Sequence, residues 1–451
     1  MRTPALLLVV ALAVVGCAGP RATASPSPPV TPGTTSTPAS TATPVPTLSP
    51  GAIAAIGELR ATTTRLPIDA ASEAERAALV ASDTDFALRL FLAVTANETD
   101  DVFLSPYSIS TALSMAYAGA RAQTAEQMAQ VLGIDLADPA WHAARNRLEL
   151  EMLAAAAQPI KTGDRLTLDP TNAVFGQSGF PFEDEYLQTL AEAYGAGLQT
   201  LDFAADPDAA RRAINAWVAE RTRDRIEELL PEDSISDLTR CVLVNAIYFK
   251  ASWVRPFHPS QTEPRPFHLL DGSQVDVPTM RQSIETTYAD GDGWAAVRLP
   301  YHGASMLLVL PDAGRFADVE QRLSGEFLAD VKQAMRAADV DLDLPKWESE
   351  SAITLNRVLL EMGMVDIFDP DLADLSGITP VADLYVSSVV HQANVTVDEE
   401  GTEAAAATAV IADVTSAGPP PVRLAVDRPF IYLIQDDISG EILFMGRLLT
   451  P

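Results

Sequence analysis

The side chains best suited to catalysis or metal binding are few and scattered. The histidines are His142, His258, His268, His302 and His391, and no two of them share the spacing of a metal-binding pair. There is no G-x-S-x-G elbow, no H-E-x-x-H helix, no C-x-x-C pair and no phosphate-binding P-loop. Cysteine occurs only as Cys17 and Cys241. This inventory calls for no metal, no cofactor and no resident active site. The expectation is a protein that is not an enzyme, with bond-breaking chemistry supplied by a partner.

The stretch that asks for an explanation is Val397–Ser416, VDEEGTEAAAATAVIADVTS. Read with the period of a strand, one face carries Thr402, Ala404, Ala406, Thr408, Val410 and Ala412, all small or β-branched and uncharged. The other carries Glu403, Ala405, Ala407, Ala409, Ile411 and Asp413, with both charges. That pattern suits a central strand with one face on a core. Alanine, however, favours helix over strand, so an exposed alanine-rich helix or linker fits the composition as well.

This stretch, followed by DRPFIYLI and ILFMGRLLTP near the C-terminus, resembles the reactive-centre loop and last strands of the serpins, the serine protease inhibitor family. The resemblance extends from Ser82 to Pro451. It implies an α+β fold with a large central, mainly antiparallel sheet, smaller sheets, about nine helices and an exposed bait loop. A serine protease that cuts the loop would be trapped as an acyl-enzyme while the loop enters the sheet as a new strand.

The resemblance also distributes roles. Glu399, Gly401, Thr402, Glu403, Ala404, Ala405, Ala406 and Ala407 match the hinge that enters first. Ser105, Ser108, Asn245 and His391 match the shutter, where the sheet opens. Trp253, Lys346 and Glu399 match the breach at its top, Lys346 and Glu399 as an ion pair. The family's spacing sets the reactive bond at Thr415-Ser416, or one residue earlier at Val414-Thr415. Either choice offers a small uncharged residue, which suits an elastase-like or subtilisin-like protease and disfavours a trypsin-like one. The alternatives are an inhibitor of a cysteine protease, or a non-inhibitory binding protein on the same fold. The uninterrupted alanines Ala404–Ala407 argue against the latter, because bulky, charged or proline residues mark non-inhibitory hinges.

Read from the residues alone, Ser105 and Ser108 are ordinary helix-start serines, Trp253 a core residue and His391 a hydrogen-bonded core histidine. Cys241, in the apolar run CVLVNAIYF, is a small core residue.

The elements that must position these residues can be read in outline. Asp83–Val94 has helical periodicity. Ser105 and Pro106 open a helical run that Gly133 stops. Leu166–Phe175 reads as a strand, Phe182–Tyr194 as a helix, and Ala209–Leu230 as a long helix ended by Pro231. Cys241–Phe249 is apolar throughout, as a strand buried on both faces should be. Thr262–Val319 alternates short strands with turns, Phe316–Ala337 returns to helix, and Val340–Lys346 is a two-faced strand. Leu355–Met362 is helical, and Tyr385–Val397 runs as a strand straight into the loop.

The chain has 451 residues, 47% of them hydrophobic, enough for a large core. Its 31 basic and 61 acidic residues leave a net charge of −30, which disfavours nucleic acid and heparin-like polyanions. The arginines at 211, 212 and 221–225 sit among acids and read as a solvated helix face. MRTPALLLVVALAVVG, residues 1–16, reads as an export signal too short to span a membrane. Val14–Cys17 resembles a bacterial lipobox, which implies lipidation of Cys17 and a monomer anchored outside the cell membrane. A plain signal peptide with a chance cysteine is the alternative. Residues 17–50, rich in Pro, Thr and Ser, form a tether, and 51–81 a transitional segment. With this leader, the sequons at Asn97 and Asn394 are chance matches.

Overall fold

The computed structural model describes residues 56–451 apart from 97, 159–165, 381–383 and 403–419, and only the backbone at 170. All of these lie in one unit, Leu48–Pro451. The hinge residues Glu403–Ala407, both candidate reactive bonds at Val414, Thr415 and Ser416, and Cys17 with its leader and tether fall outside the described residues.

The central sheet has seven strands in the order β1-β4-β3-β5-β13-β12-β11. They are β1 (Gly57–Leu59), β3 (Thr167–Gln177), β4 (Leu198–Leu201), β5 (Cys241–Ser252), β11 (Trp347–Thr354), β12 (Ser388–Val397) and β13 (Gly401–Thr402). Most neighbours are antiparallel, but β5 and β12 pair in parallel, and only between Val242–Ala246 and Ser388–Gln392. Above that point each strand keeps its outer neighbour. Ile247–Lys250 pairs with Thr167–Pro170, and Ala393–Thr396 with Glu348–Ser351. Among the described residues, a slot about four residues deep, roughly 13 Å at strand rise, separates β5 from β12 above that point. The two residues of β13 close its top by pairing with both flanks.

The other strands, β2 (Val102–Leu104), β6 (Glu263–His268), β7 (Gln274–Gly291), β8 (Trp294–Pro300), β9 (Ala304–Pro311), β10 (Arg336–Pro345), β14 (Val422–Ala425), β15 (Phe430–Asp436) and β16 (Ile442–Leu448), form a second sheet. The smaller sheets expected from the sequence are thus continuous through β7. Its first residues pair with β6 and its last with β8, while β10 runs along its middle.

Nine α-helices stand among the described residues: α1 (Glu73–Thr95), α2 (Pro106–Tyr117), α3 (Ala122–Leu132), α4 (Asp138–Ala156), α5 (Asp184–Tyr194), α6 (Pro207–Arg221), α7 (Phe316–Gln321), α8 (Gly325–Ala334) and α9 (Asn356–Met362). Several boundaries differ from the sequence reading, each for a local reason. Helix α1 begins well ahead of Ser82, where Ser72 and Glu75 form a reciprocal capping box; part of the segment read as transitional is thus helical. The run from Ser105 to Gly133 is two helices. They part at Gly119, whose backbone lies so close to Ile378 that a Cβ would sit 2.0 Å from its side chain. Phe316–Ala337 is also two helices, because Ser324 caps the second by accepting from the Phe327 amide. Its last residues already belong to β10.

The strand alternation of β5 sorts the core. Val242, Val244 and Ala246 face a cluster with α6, whereas Leu243, Ile247, Phe249 and Ala251 face inward beneath the helices. This double burial explains the unbroken apolar run.

Candidate functional site

The site is built around the slot. At its closed end, α2 starts beneath the sheet because Pro106 occupies the first helical position and Ser105 caps it, accepting from the Ser108 amide at 3.2 Å. Ser105 Oγ donates to the Leu443 carbonyl at 2.7 Å, and its amide donates to His391 Nε2 at 3.0 Å. Since Nε2 accepts, Nδ1 carries the proton and donates to Asn245 Oδ1. Asn245 Nδ2 in turn donates to Ser108 Oγ at 2.6 Å and to Asn172 Oδ1 at 2.7 Å. All four expected shutter residues therefore meet in one buried network. It ties β12 to β5 where their direct pairing ends, His391 lying opposite Asn245. Burial lowers the His391 pKa to about 3, so the ring is neutral at physiological pH. Asn172, on β3, is a fifth member that sequence reasoning missed. Its only signal was an inward polar residue in the strand LTLDPTNAVF.

At the other end, Asp398 to Gly401 form a tight turn. Asp398 Oδ1 accepts from the amides of Glu400 at 2.9 Å and Gly401 at 3.3 Å. Lys346 Nζ lies 2.6 Å from Glu399 Oε2, and Thr262 donates to the other Glu399 oxygen at 2.7 Å. Burial would raise the Glu399 carboxyl, but the bonds from Lys346 and Thr262 outweigh it and hold the group below its ordinary value. Trp253 Nε1 donates to the Asp398 carbonyl at 3.0 Å, and the indole stacks on Tyr301 at 4.0 Å. The expected breach residues thus come together, with Thr262 and Tyr301 as partners that no sequence spacing announced.

Two hinge residues, Gly401 and Thr402, are already seated in the sheet. Thr402 is 1% exposed, and its hydroxyl lies 3.1 Å from that of Tyr301. Gly401 has φ +143°, and a Cβ there would stand 2.2 Å from the Ala251 carbonyl oxygen. Only glycine fits such a backbone so close to a neighbour. A Gly401→Ala chain is therefore expected to unseat the hinge. Amide hydrogen exchange would show it, with faster exchange at Trp253 and Phe257, whose amides donate to Glu400 and Glu399; unchanged protection would contradict the seating.

Among the described residues no group of His, Cys, Asp and Glu could hold a metal ion, and no helix is long and apolar enough to cross a membrane. Cys241 is buried, and its thiol is pushed up to about 12 by that burial, leaving it an inert core residue. The basic residues considered for polyanion binding are engaged elsewhere: Arg211 with Asp208 and Glu228, Arg212 with Asp208, and Arg221 over the Trp217 ring.

The comparisons with known proteins agree with this sheet architecture. The family model described as Serpin (serine protease inhibitor) matches residues 81–451. An uncharacterized serpin-like protein of Thermococcus kodakarensis is 38% identical, over 85% of this chain and 88% of its own length. A leukocyte elastase inhibitor of Bos taurus is 37% identical, over 83% and 99% respectively. Among solved structures, the thermophilic serpin tengpin in its native state superposes with a TM-score of 0.75 at 26% identity, covering 87% of this chain and 98% of that one. These relatives support protease inhibition in general as the activity, with a protease as the partner. By its sequence, its sheet topology and these matches, the chain belongs to the serpin family.

Proposed function

We propose that the chain is a suicide inhibitor of a serine endopeptidase, and that the slot between β5 and β12 receives the severed loop. The observation that supports this reading is the division of the central sheet between β5 and β12: five residues of each strand pair directly at one end, and among the described residues the two residues of β13 lie between them at the other. The protease's serine hydroxyl attacks the carbonyl carbon of Thr415, or of Val414. The peptide C–N bond breaks, the amine of the next residue leaves with the serine's proton, and an ester joins loop to enzyme. The freed segment continues β13 down the slot. A strand of about 14 residues is roughly 45 Å long, so the attached protease is carried to the far end of the sheet before water reaches the ester.

The drive is thermodynamic. Each inserted residue completes a ladder on both flanks, and the inward positions Ala404, Ala406 and Thr408 are small enough to be buried without overpacking. A small uncharged residue at the cut supports an elastase-like or subtilisin-like target, and the bovine relative carries the name of an elastase inhibitor. The export signal and Cys17 support a monomer lipid-anchored outside the cell membrane, with residues 17–50 as spacer.

The test is to incubate the protein with an elastase-like protease and run a denaturing gel. A band at the summed mass is expected. Clean loop cleavage without it would overturn the inhibitory reading in favour of a binding role.

A further inference from the structure

The turn that joins β15 to β16 carries two carboxyl groups into the core. Asp436 is 2% exposed and Glu441 1%. Both lie among charged side chains of α1 and α4. A charge taken out of water is tolerated only when it is paired and hydrogen-bonded, so the partners of each carboxyl decide whether it ionises.

The nearby arginines are already committed. Arg145 of α4 grips Asp83 of α1 with both arms of its fork, Nη1 to Oδ2 at 2.7 Å and Nη2 to Oδ1 at 2.9 Å. Ser110 of α2 donates to the same carboxylate at 2.6 Å. Arg76 pairs with Glu73 and, at 3.3 Å, with Glu151. The leftover nitrogens, Arg145 Nε and Arg76 Nη1, have no hydrogen-bond partner among the described residues, so neither serves the two carboxyls of the turn. Asp436 is held as a carboxylate by other means. Its Oδ2 accepts from the Ser439 amide at 2.7 Å, the Ser439 hydroxyl at 2.6 Å and the Ile438 amide at 3.2 Å. Glu441 lacks such a set, and its Oε2 is buried without a hydrogen-bond partner among the described residues.

The charged and titratable groups facing Glu441 are Asp83 and Arg76 from α1, Arg145 from α4, Tyr107 from α2, and Asp436 from its own hairpin. Ionised, it would add a third negative charge beside Asp83 and Asp436. Burial first, and then Asp83, hold its carboxyl well above the ordinary carboxylate range.

We propose that Glu441 keeps its proton in the folded chain at neutral pH and works as a proton-operated catch on the β15–β16 hairpin. Its release is a plain acid dissociation: the O–H bond breaks, the electron pair stays on the carboxylate and the proton goes to solvent. The buried carboxylate left behind has no donor, so it turns to water and the end of the hairpin opens. The catch reaches the shutter, because the Leu443 carbonyl of β16 accepts from the Ser105 hydroxyl. The inference does not depend on the slot-filling reading. Its sign follows from linkage. An acid whose pKa is raised by folding stabilises the closed form fully below its ordinary value of 4.5, and that stabilisation is lost as the pH climbs towards the folded value.

The test is amide exchange on the purified chain from pH 7 to pH 9, corrected for the intrinsic rise of exchange with pH. The reporters are the Asp436 amide, which donates to the Glu441 carbonyl at 3.0 Å, and the Gly440 amide, which donates to the Asp436 carbonyl at 2.9 Å. In the wild type their protection is expected to fall about tenfold for each pH unit over which the closed hairpin keeps the proton. Glu441→Gln keeps the shape without the titration, and its protection should hold steady over the same range. Equal losses in the two chains, or constant protection in the wild type, would overturn the catch. Infrared spectra give a second reading. The carbonyl stretch of a protonated carboxyl is expected in the wild type at pH 7 and should be weaker by one group in the Gln variant. Absence of that band from the wild type would overturn the proposal even if the variant failed to fold.

Discussion

A Thr402→Arg chain is expected to be cut by the target protease as readily as the wild type but to leave no covalent adduct on a denaturing gel. Thr402 is the first hinge side chain inside the sheet, buried with its hydroxyl against Tyr301 and its backbone paired to Ala251 and Val397. A guanidinium there would have to give up water beneath the Trp253–Tyr301 stack, at a cost of several kcal/mol. The bait itself, more than ten residues downstream, is unchanged, so cleavage proceeds while insertion stalls and the ester hydrolyses. Thr402→Ser should still trap. Thermal melting gives a second reading: the cleaved wild type melts well above the intact protein, and the cleaved Arg variant does not. A stable adduct formed by the Arg variant would remove this step from the mechanism.

Acid destabilises the native sheet through His391. The imidazole has an ordinary pKa of 6.5, and burial lowers it to about 3 in the folded chain. Below pH 6.5 the unfolded chain takes up a proton that the folded chain refuses. The stability this histidine contributes is therefore fully present above pH 6.5 and is lost as the pH falls towards 3. Each unit of that window is worth about 1.36 kcal/mol, so about 2 kcal/mol should go between pH 6.5 and roughly pH 4.5. Urea unfolding at the two pH values measures the drop. His391→Gln cannot take up the proton, so its drop should be smaller by that amount, the carboxylates being common to both chains. Equal drops would show that the ring titrates normally and that the network around Ser105 and Asn245 is looser than described. Protonation of Nε2 would also cost the bond from the Ser105 amide, which cannot donate to an N–H.

How much of this was legible depended on whether the signal was local. The seam strand Cys241–Ser252 announced itself because burial on both faces leaves no polar position in CVLVNAIYF except Asn245, and that exception proved to be the network residue. Of the hinge, only Glu399, Gly401 and Thr402 lie among the described residues, and their place beside β5 and β12 could be anticipated only through the resemblance. The meeting of Lys346 with Glu399, or of Ser105 with His391, follows from topology and could come only from the resemblance. What stayed hidden was set by contacts far along the chain. Little in Ala209–Leu230 warns that the helix stops at Arg221: arginine seldom adopts left-handed backbone, as Arg223 does here, and Asp224, of a type that does so occasionally, is only one aspartate among many. Gly119 breaks a helix for the sake of Ile378, and the seating of Gly401 depends on Ala251. The Ser72–Glu75 box, by contrast, stood in plain view and marks the true start of α1.

The borders of the central sheet bear on solubility. An unpaired sheet edge invites another chain to add to it. Here β1 occupies one border by pairing with β4, reinforced by Arg60, which donates to the Gly195 carbonyl, and by Thr63, which donates to Glu192. On the other border, β11 sets the exposed carboxylates Glu348 and Glu350 at alternate positions, a repulsive fringe against a second acidic molecule. With β1 only three residues long and carboxylates along β11, the sheet offers a second molecule little edge to add to, and a chain whose central sheet gains a further strand should stay dispersed under heating that clumps the intact one.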